Sequence, residues 1–225
     1  MEKEEEEGDY QAREGELINV LIRTSGRPNF FKKAVESVEA QTHKNWRIIV
    51  SVDDKESEEY VNKYVYKSGK DVNKYVYIRP KRRRRETGWY FNRYFNDLLA
   101  QVKEGWVVYL DDDVEIIDPL CFEKISAHME EVNKLIFWKY QFESGKIVPE
   151  DEFWKKRPTR KHIDTGCFAH HIRYKPRWVS LRASDWRVAN QLYEKIPNKV
   201  WIDEVFFRAG NNGGLGKRND FILPT

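Results

Sequence analysis

Three consecutive aspartates, Asp111-Asp112-Asp113, close the apolar run Trp106-Val107-Val108-Tyr109-Leu110. Such a run reads as a buried strand, and ionised carboxylates at the edge of a core need a partner. A hard divalent cation is the usual one, because it takes oxygen ligands and often bridges to substrate phosphates. In open α/β sheets ligands bind beyond the carboxyl ends of the strands, where these aspartates fall. The alternative, for three aspartates taken alone, is a solvated acidic turn.

The basic run Lys81-Arg82-Arg83-Arg84-Arg85 admits several readings. It could bind phosphates, serve as a nuclear-import patch, contact nucleic acid electrostatically, or be a solvated loop. No regular array of aromatics flanks it, so nucleic acid is the weaker partner.

The elements that must position these groups follow from periodicity. Leu17–Ile22 is a first strand, and Arg23-Thr24-Ser25-Gly26-Arg27-Pro28 a turn whose proline can open a helix. Phe31, Ala34, Val35 and Val38 recur at helical spacing. Trp46–Val52 is a second strand ending in Asp53-Asp54, followed by a charged helix with Val61, Tyr64 and Val65 on one side. Tyr75–Ile78 is a third strand, and Phe91, Tyr94, Phe95, Leu98, Leu99 and Val102 form the stripe of a helix that Gly105 can end. Asn92 and Asn96 lie one turn apart on that helix. Strand and helix alternate up to the fourth, aspartate-bearing strand, which predicts an α/β fold with a doubly wound, mostly parallel sheet.

Beyond about residue 118 the pattern loosens. A helix around Pro119–Glu130, a strand around Leu135–Phe142, a strand or tight loop over 162–171 and a short helix from Ser184, with Ser184 as its cap, are expected. Gly210–Gly216 reads as a flexible loop. No internal repeat or linker is evident, so the chain divides into an acidic, disordered tail (1–15), a first half (16–117), and a second half (118–225) of the same domain.

With 225 residues, 40% hydrophobic and 14% aromatic, the chain can bury a substantial core. The formal charge of +3 conceals an asymmetry: residues 2–7 hold five Glu and one Lys, leaving a basic body suited to an anionic ligand. No apolar run approaches the roughly 18 residues of a membrane span, and the start is too acidic for a signal peptide. Cys121 and Cys167 fit no zinc or redox spacing, which suggests reduced thiols in a cytoplasmic setting.

Ile18-Asn19-Val20-Leu21-Ile22-Arg23-Thr24, the stretch from Phe31 through Ser37-Val38-Glu39-Ala40-Gln41-Thr42 to Trp46, and Ile48-Ile49-Val50-Ser51-Val52-Asp53-Asp54 together resemble the start of family 2 glycosyltransferases of the GT-A fold. The likeness is close over roughly the first 115 residues. It continues more loosely through His162-Ile163-Asp164-Thr165, Ser184-Asp185-Trp186 and Trp201-Ile202-Asp203-Glu204, which resemble the acceptor half of small bacterial and large-virus members. Val114 departs from the pattern, since many members carry a further Asp there.

The resemblance implies roles. Asp111 and Asp113 stand at the family's Asp-x-Asp: Asp111 would reach the ribose or the metal shell, and Asp113 would bind the Mn²⁺ or Mg²⁺ bridging the nucleotide diphosphate. A cation there suits a departing diphosphate, whose charge it can stabilise. Asp112 would point the other way, as a solvated or helix-capping residue. Arg23 and Thr24 would line the nucleotide cleft, with Asp53 or Asp54 accepting a hydrogen bond from the base; a simple turn role is the alternative for either. Asn92 and Asn96 would pack near the donor phosphates, or form an ordinary polar helix face. Asp185 would be the general base, with Asp203 and Glu204 the next candidates. Asp164, Trp186 and Trp201 would meet the acceptor. His162 or His171 could add a metal ligand, although a lone histidine is more often a hydrogen-bonded residue.

Two functions from different classes follow. One is a metal-dependent, inverting transfer of a sugar from a UDP- or GDP-type donor to a hydroxyl of a glycan or glycoprotein. The other is a non-catalytic nucleotide-sugar, glycan or polyanion binding module; fold alone does not separate them. Sugar nucleotidyltransferases share a similar sheet, but residues 23–28 are a poor version of their Gly-rich loop.

Overall fold

The computed structural model describes residues 16–65, 70–80 and 89–210. Lys81–Arg85, the acidic tail and residues 211–216 lie outside them. Four parallel strands come first in the chain, β1 (Ile18–Thr24), β2 (Trp46–Val52), β3 (Tyr75–Ile78) and β4 (Trp106–Asp111), and they pair in the spatial order β3-β2-β1-β4. Each crossover runs through helical backbone: α1 (Pro28–Glu39), α2 (Lys55–Val65), and α3 (Tyr94–Leu99) preceded by a 3₁₀ turn over Tyr90–Arg93. The helices form where their stripes predict. Phe31, Ala34, Val35 and Val38 on α1 and Phe95, Leu98 and Leu99 on α3 are buried against the sheet.

The second half continues the same sheet with mixed direction. β5 (Val114–Ile116) and α4 (Cys121–Ser126) are followed by β6 (Lys134–Gln141), β7 (Ile147–Val148), β8 (Phe168–His171), α5 (Ser184–Lys195) and β9 (Asn198–Ala209). β8 joins antiparallel to β4, β6 to β8, and β9 runs parallel to β6 with β5 antiparallel on its far side. The sheet is thus one continuous surface in the order β3-β2-β1-β4-β8-β6-β9-β5.

One strand goes beyond the sequence expectations, and one expectation needs correction. β9, twelve residues long, carries no clear alternation in its sequence, and it is a strand because β6 and β5 pair with it. Ser184 does not cap α5. Ala183 holds the cap position in a left-handed conformation, φ 57°, while the Ser184 hydroxyl accepts the Val179 amide at 3.2 Å.

The Ser-Val-x-x-Gln-Thr step is structural. Fully buried Gln41 donates to the Asp118 carbonyl at 3.0 Å and accepts the Phe122 amide at 3.0 Å. Ser37 Oγ accepts the Ile116 amide at 3.1 Å. These bonds tie the end of α1 to the chain leaving the aspartates, and so fix β5 and α4 beside the parallel sheet.

Candidate functional site

Parallel register brings the site together. Arg23, next to last on β1, is the direct partner of Asp111, last on β4. Its guanidinium donates through Nε (3.1 Å) and Nη2 to Asp111 Oδ1, and through Nη1 to Asn92 Oδ1 at 2.9 Å. It also lies 4.2 Å from the Phe95 ring centroid, a cation–π contact that braces the plane of the fork.

The loop after β1 turns at Gly26, whose φ of 62° is the left-handed region that glycine adopts without strain. Its amide donates to Ser57 Oγ at 2.9 Å. That turn sends Arg27 back over the aspartates. Arg27 donates to both oxygens of Asp112 and, at 2.8 Å, to Asp113 Oδ2. Asp112 also accepts the Thr24 hydroxyl at 2.8 Å and has no exposed surface. The solvated or capping role expected for Asp112 is therefore wrong: its strand-end geometry does turn it away from Asp111, but into the interior, where Arg27 and Thr24 receive it.

Burial pushes the Asp112 carboxyl up to about 7, with Arg27 pulling it down and Asp113 adding to the rise. Asp113 is raised for the same first cause, again against Arg27. For Arg27, burial favours the neutral form, but the three aspartates together more than offset it and its pKa is raised. Arg27 therefore keeps its charge, while burial outweighs Arg27 at Asp112 and favours its neutral form.

Two further carboxylates close on this edge from the second half. Asp164 precedes the 3₁₀ turn Thr165–Cys167 and accepts the Gly166 amide at 3.4 Å. Asp185 stands in the first turn of α5. Burial raises both, and they raise one another's neighbourhood: Asp164 feels Asp185, Asp111 and Asp113, and Asp185 feels Asp111 while Arg23 and its own helix amides oppose the rise. The left-handed Ala183, costing about 1–2 kcal/mol for a non-glycine residue, sets the direction in which α5 begins.

The remaining sequence candidates divide. Asp53 faces the same cleft, accepting Tyr94 Oη at 2.7 Å and Ser25 Oγ at 3.3 Å. Asp54 caps α2 by accepting the Ser57 amide at 2.8 Å, a structural use of its side chain. Asn92 holds Arg23 and donates to the Leu181 carbonyl at 3.1 Å. Asn96 is engaged with the backbone of Trp178: its amide donates to the Trp178 carbonyl and accepts the Trp178 amide, each at 2.9 Å.

Neither histidine joins the aspartates. His171 pairs across the sheet with Trp106, at the opposite end of β4, about 17 Å from Asp111 at roughly 3.3 Å per residue; it faces Glu16 at 3.3 Å. His162 bonds Glu150 and stacks on Phe153 at 3.7 Å between centroids. Asp203 and Glu204 are exposed on β9, paired with Lys139 at 2.7 Å and with Lys124 respectively. Trp186 is half-buried, its indole N–H on the Pro158 carbonyl at 3.0 Å. Trp201 stacks on Phe137 at 4.4 Å and meets the edge of Trp154 at 5.0 Å.

Among the described residues no three His, Cys, Asp or Glu side chains converge tightly enough to hold a metal unaided. The donor set still fits a hard cation shared with a ligand. Asp111 and Asp113 are partly exposed, 23% and 16%, at an edge where the five carboxylates of Asp111, Asp112, Asp113, Asp164 and Asp185 outnumber two arginines, and Mg²⁺-like ions are commonly held by one or two carboxylates plus substrate phosphates. Arg27 and Asp112 are what sequence reading missed. The clue was charge balance: a buried carboxylate needs a cation, and Arg27 lies in the loop that the parallel strands bring alongside.

Residues 20–189 match the family described as Glycosyl transferase family 2, so the chain belongs to that family. Its fold is the GT-A fold. The first 349 residues of S. aureus TarS superpose with a TM-score of 0.67 at 14% identity, covering 86% of this chain and 60% of that one. The same TarS segment in complex with UDP-GlcNAc gives 0.66 at 14%, covering 88% and 59%. The mannosyltransferase PcManGT of Pyrobaculum calidifontis, in complex with GDP-Man and Mn²⁺, gives 0.67 at 10%, covering 93% and 62%. The chain thus spans about three-fifths of the length of these structures. Comparison with curated proteins returned no match. No described helix is long and apolar enough to cross a membrane.

Proposed function

We propose that this chain transfers a sugar from a nucleotide-diphosphate donor to an acceptor hydroxyl, with inversion at the anomeric carbon. The observation that carries the reading is the meeting of Asp111 and Asp113 from the parallel half with Asp164 and Asp185 from the other, at the carboxyl edge of the sheet. Family membership and the nucleotide-sugar complexes of the similar structures support it.

Asp111 and Asp113 would hold Mn²⁺ or Mg²⁺ together with the donor diphosphate, and the cation would neutralise charge on the leaving nucleotide. Arg23 fixes Asp111, and Arg27 fixes Asp112 and Asp113, so the strand end is rigid before a ligand arrives. Asp53 faces the cleft where the base would lie. Asp185 is the proposed general base: burial raises its pKa, which makes it a better proton acceptor than an ordinary carboxylate. Direct displacement needs one such group, and Asp203 and Glu204 are engaged with lysines elsewhere. Two buried free thiols, Cys121 and Cys167, support a cytoplasmic setting as part of the same proposal.

Thermal unfolding with UDP-GlcNAc or GDP-Man, each with and without Mn²⁺, tests the reading. A donor should raise the transition only when metal is present, since ligands that bind the native state stabilise it by mass action. No shift with either nucleotide sugar or its free nucleoside diphosphate, metal present, would remove it.

A further inference from the structure

The stretch from Lys155 to Arg187 carries ten Lys and Arg residues and two acids. Those two acids are Asp164 and Asp185, which lie inside the site, whereas all ten cations are exposed. Seven of the cations are anchored around Asp185. Arg182 and Arg187 flank it in the chain. Lys155, Lys156, Arg157, Arg160 and Lys161 lie on a segment fastened to the first turns of α5, because the Pro158 carbonyl accepts Trp186 Nε1 at 3.0 Å and Asn190 Nδ2 at 2.9 Å. Lys161 is also three residues from Asp164.

Most of these cations are not used within the fold. Arg157 pairs with Glu194. Lys155, Lys156, Arg160, Lys161, Arg182 and Arg187 have no carboxylate partner among the described residues. The contrast is with Lys124, Lys134, Lys139 and Lys146, each of which has one. The nearby Glu150 and Asp151 are themselves taken by Lys146, His162 and Lys139. Two of the rim residues, Lys155 and Lys161, hold left-handed backbones at φ 59° and 73°, conformations that cost a non-glycine side chain energy and persist only where surroundings impose them.

Among the described residues, none of the rim cations pairs with Asp111 or Asp113. The arginines beside Asp111 and Asp113 are Arg23 and Arg27, both already committed to aspartates. The rim instead borders Asp185, which by the proposed function receives the acceptor hydroxyl. We infer that the acceptor is an anionic polysaccharide, a chain with repeated negative groups drawn along the Lys155–Arg187 rim into the mouth of the site. The inference rests on the transferase reading of Asp185, and it deepens that reading by naming the acceptor class. A single small acceptor would need one or two of these charges. A cation-lined border extending over six unpaired side chains matches a chain with charge at successive residues, and gives it electrostatic steering. Half-buried Trp186 lies within the rim, with the Arg187 guanidinium 5.5 Å from its ring centroid, so the rim joins an aromatic side chain to its cations.

The test measures binding of polygalacturonate oligomers and of neutral dextran of equal length to the whole chain, with duplex DNA as a third probe. One variant replaces Lys155, Lys156, Arg160 and Lys161 by Gln; a second carries Arg182→Gln and Arg187→Gln. A control replaces Lys32, Lys33, Lys55 and Lys63 by Gln, removing equal charge from α1 and α2. The wild type should bind polygalacturonate and not dextran, with affinity falling about tenfold or more between roughly 50 and 200 mM salt, as release of counterions requires. Both rim variants should lose about tenfold, and the control should not. All should keep the Mn²⁺-dependent shift with UDP-GlcNAc or GDP-Man. Equal losses in rim and control variants would reduce the effect to net charge and overturn the inference. So would equal binding of dextran, or tighter rim-dependent binding of DNA. Rim-dependent polygalacturonate binding with no donor shift in the wild type would retain the anionic-glycan surface and remove the transferase reading instead.

Discussion

Arg27 closes a two-point bond on Asp112, a carboxylate with no exposed surface, and extends its remaining nitrogen to Asp113 at 2.8 Å. One arginine thereby sets the direction of two neighbouring aspartates, one buried and one facing the cleft. Removing one partner of a buried pair leaves an uncompensated charge, which costs about 3–5 kcal/mol. Asp112→Ala should therefore lose stability of that order in urea denaturation, while Asp113→Ala, at the cleft, should lose less than about 1 kcal/mol and abolish Mn²⁺-dependent donor binding. Equal losses in the two variants would contradict the division of roles.

Stability should fall as pH rises through neutrality. Asp112 has a folded pKa of about 7, above the roughly 3.9 of an unfolded aspartate. Below the lower value both states hold the proton and the contribution is complete; as pH rises through the folded value it is lost. Asp113, Asp164 and Asp185 are raised too and add in the same sense. Urea midpoints from about pH 5 to pH 8 should decline, and Asp112→Asn should flatten the slope.

Asp185→Asn keeps shape and reach and removes basicity, so turnover should drop by roughly 10²–10⁴ with donor-induced thermal protection unchanged. The wild-type acid limb should lie above the usual carboxylate value of about 4, because burial and then Asp111 raise Asp185. Asp203→Asn and Glu204→Gln, exposed in ion pairs on β9, should leave turnover within about twofold, the effect of a screened surface charge.

Asn96→Leu should cost about 1–3 kcal/mol, the penalty for leaving buried backbone groups of Trp178 unpaired, with no change in donor affinity beyond the loss of folded protein. Equilibrium denaturation beside a donor titration separates the two effects. A selective loss of donor binding would return Asn96 to the nucleotide site.

Much of the parallel half was legible because its physics is local. β1, β2 and β4 are continuous apolar runs, and α1 and α3 show stripes that the sheet does bury. The edge on which Asp111 and Asp113 meet follows from strand direction alone. What was not legible depends on partners far away in the chain. Asn96 finds the Trp178 backbone 82 residues on. Asp112 goes inward because a left-handed Gly26 returns Arg27 to it. β9 has no sequence signature because its pairing to β6 and β5, and not its own alternation, makes it a strand.

The unbroken sheet has a consequence for how the molecule comes apart. β5, from the first half of the sequence, has β9 at the far edge as its strand partner, and β4 has β8 along its outer side. A fragment ending near residue 117 would leave β4, whose residues Trp106 to Leu110 are fully buried here, as a naked apolar edge of the kind that recruits other chains. The two halves of the sequence thus share one continuous sheet. They should melt in one transition, and hydrogen exchange at β1, β4 and β8 should report the same global opening. New specificity can be grafted at the loops of this scaffold; the seam between its halves cannot be cut.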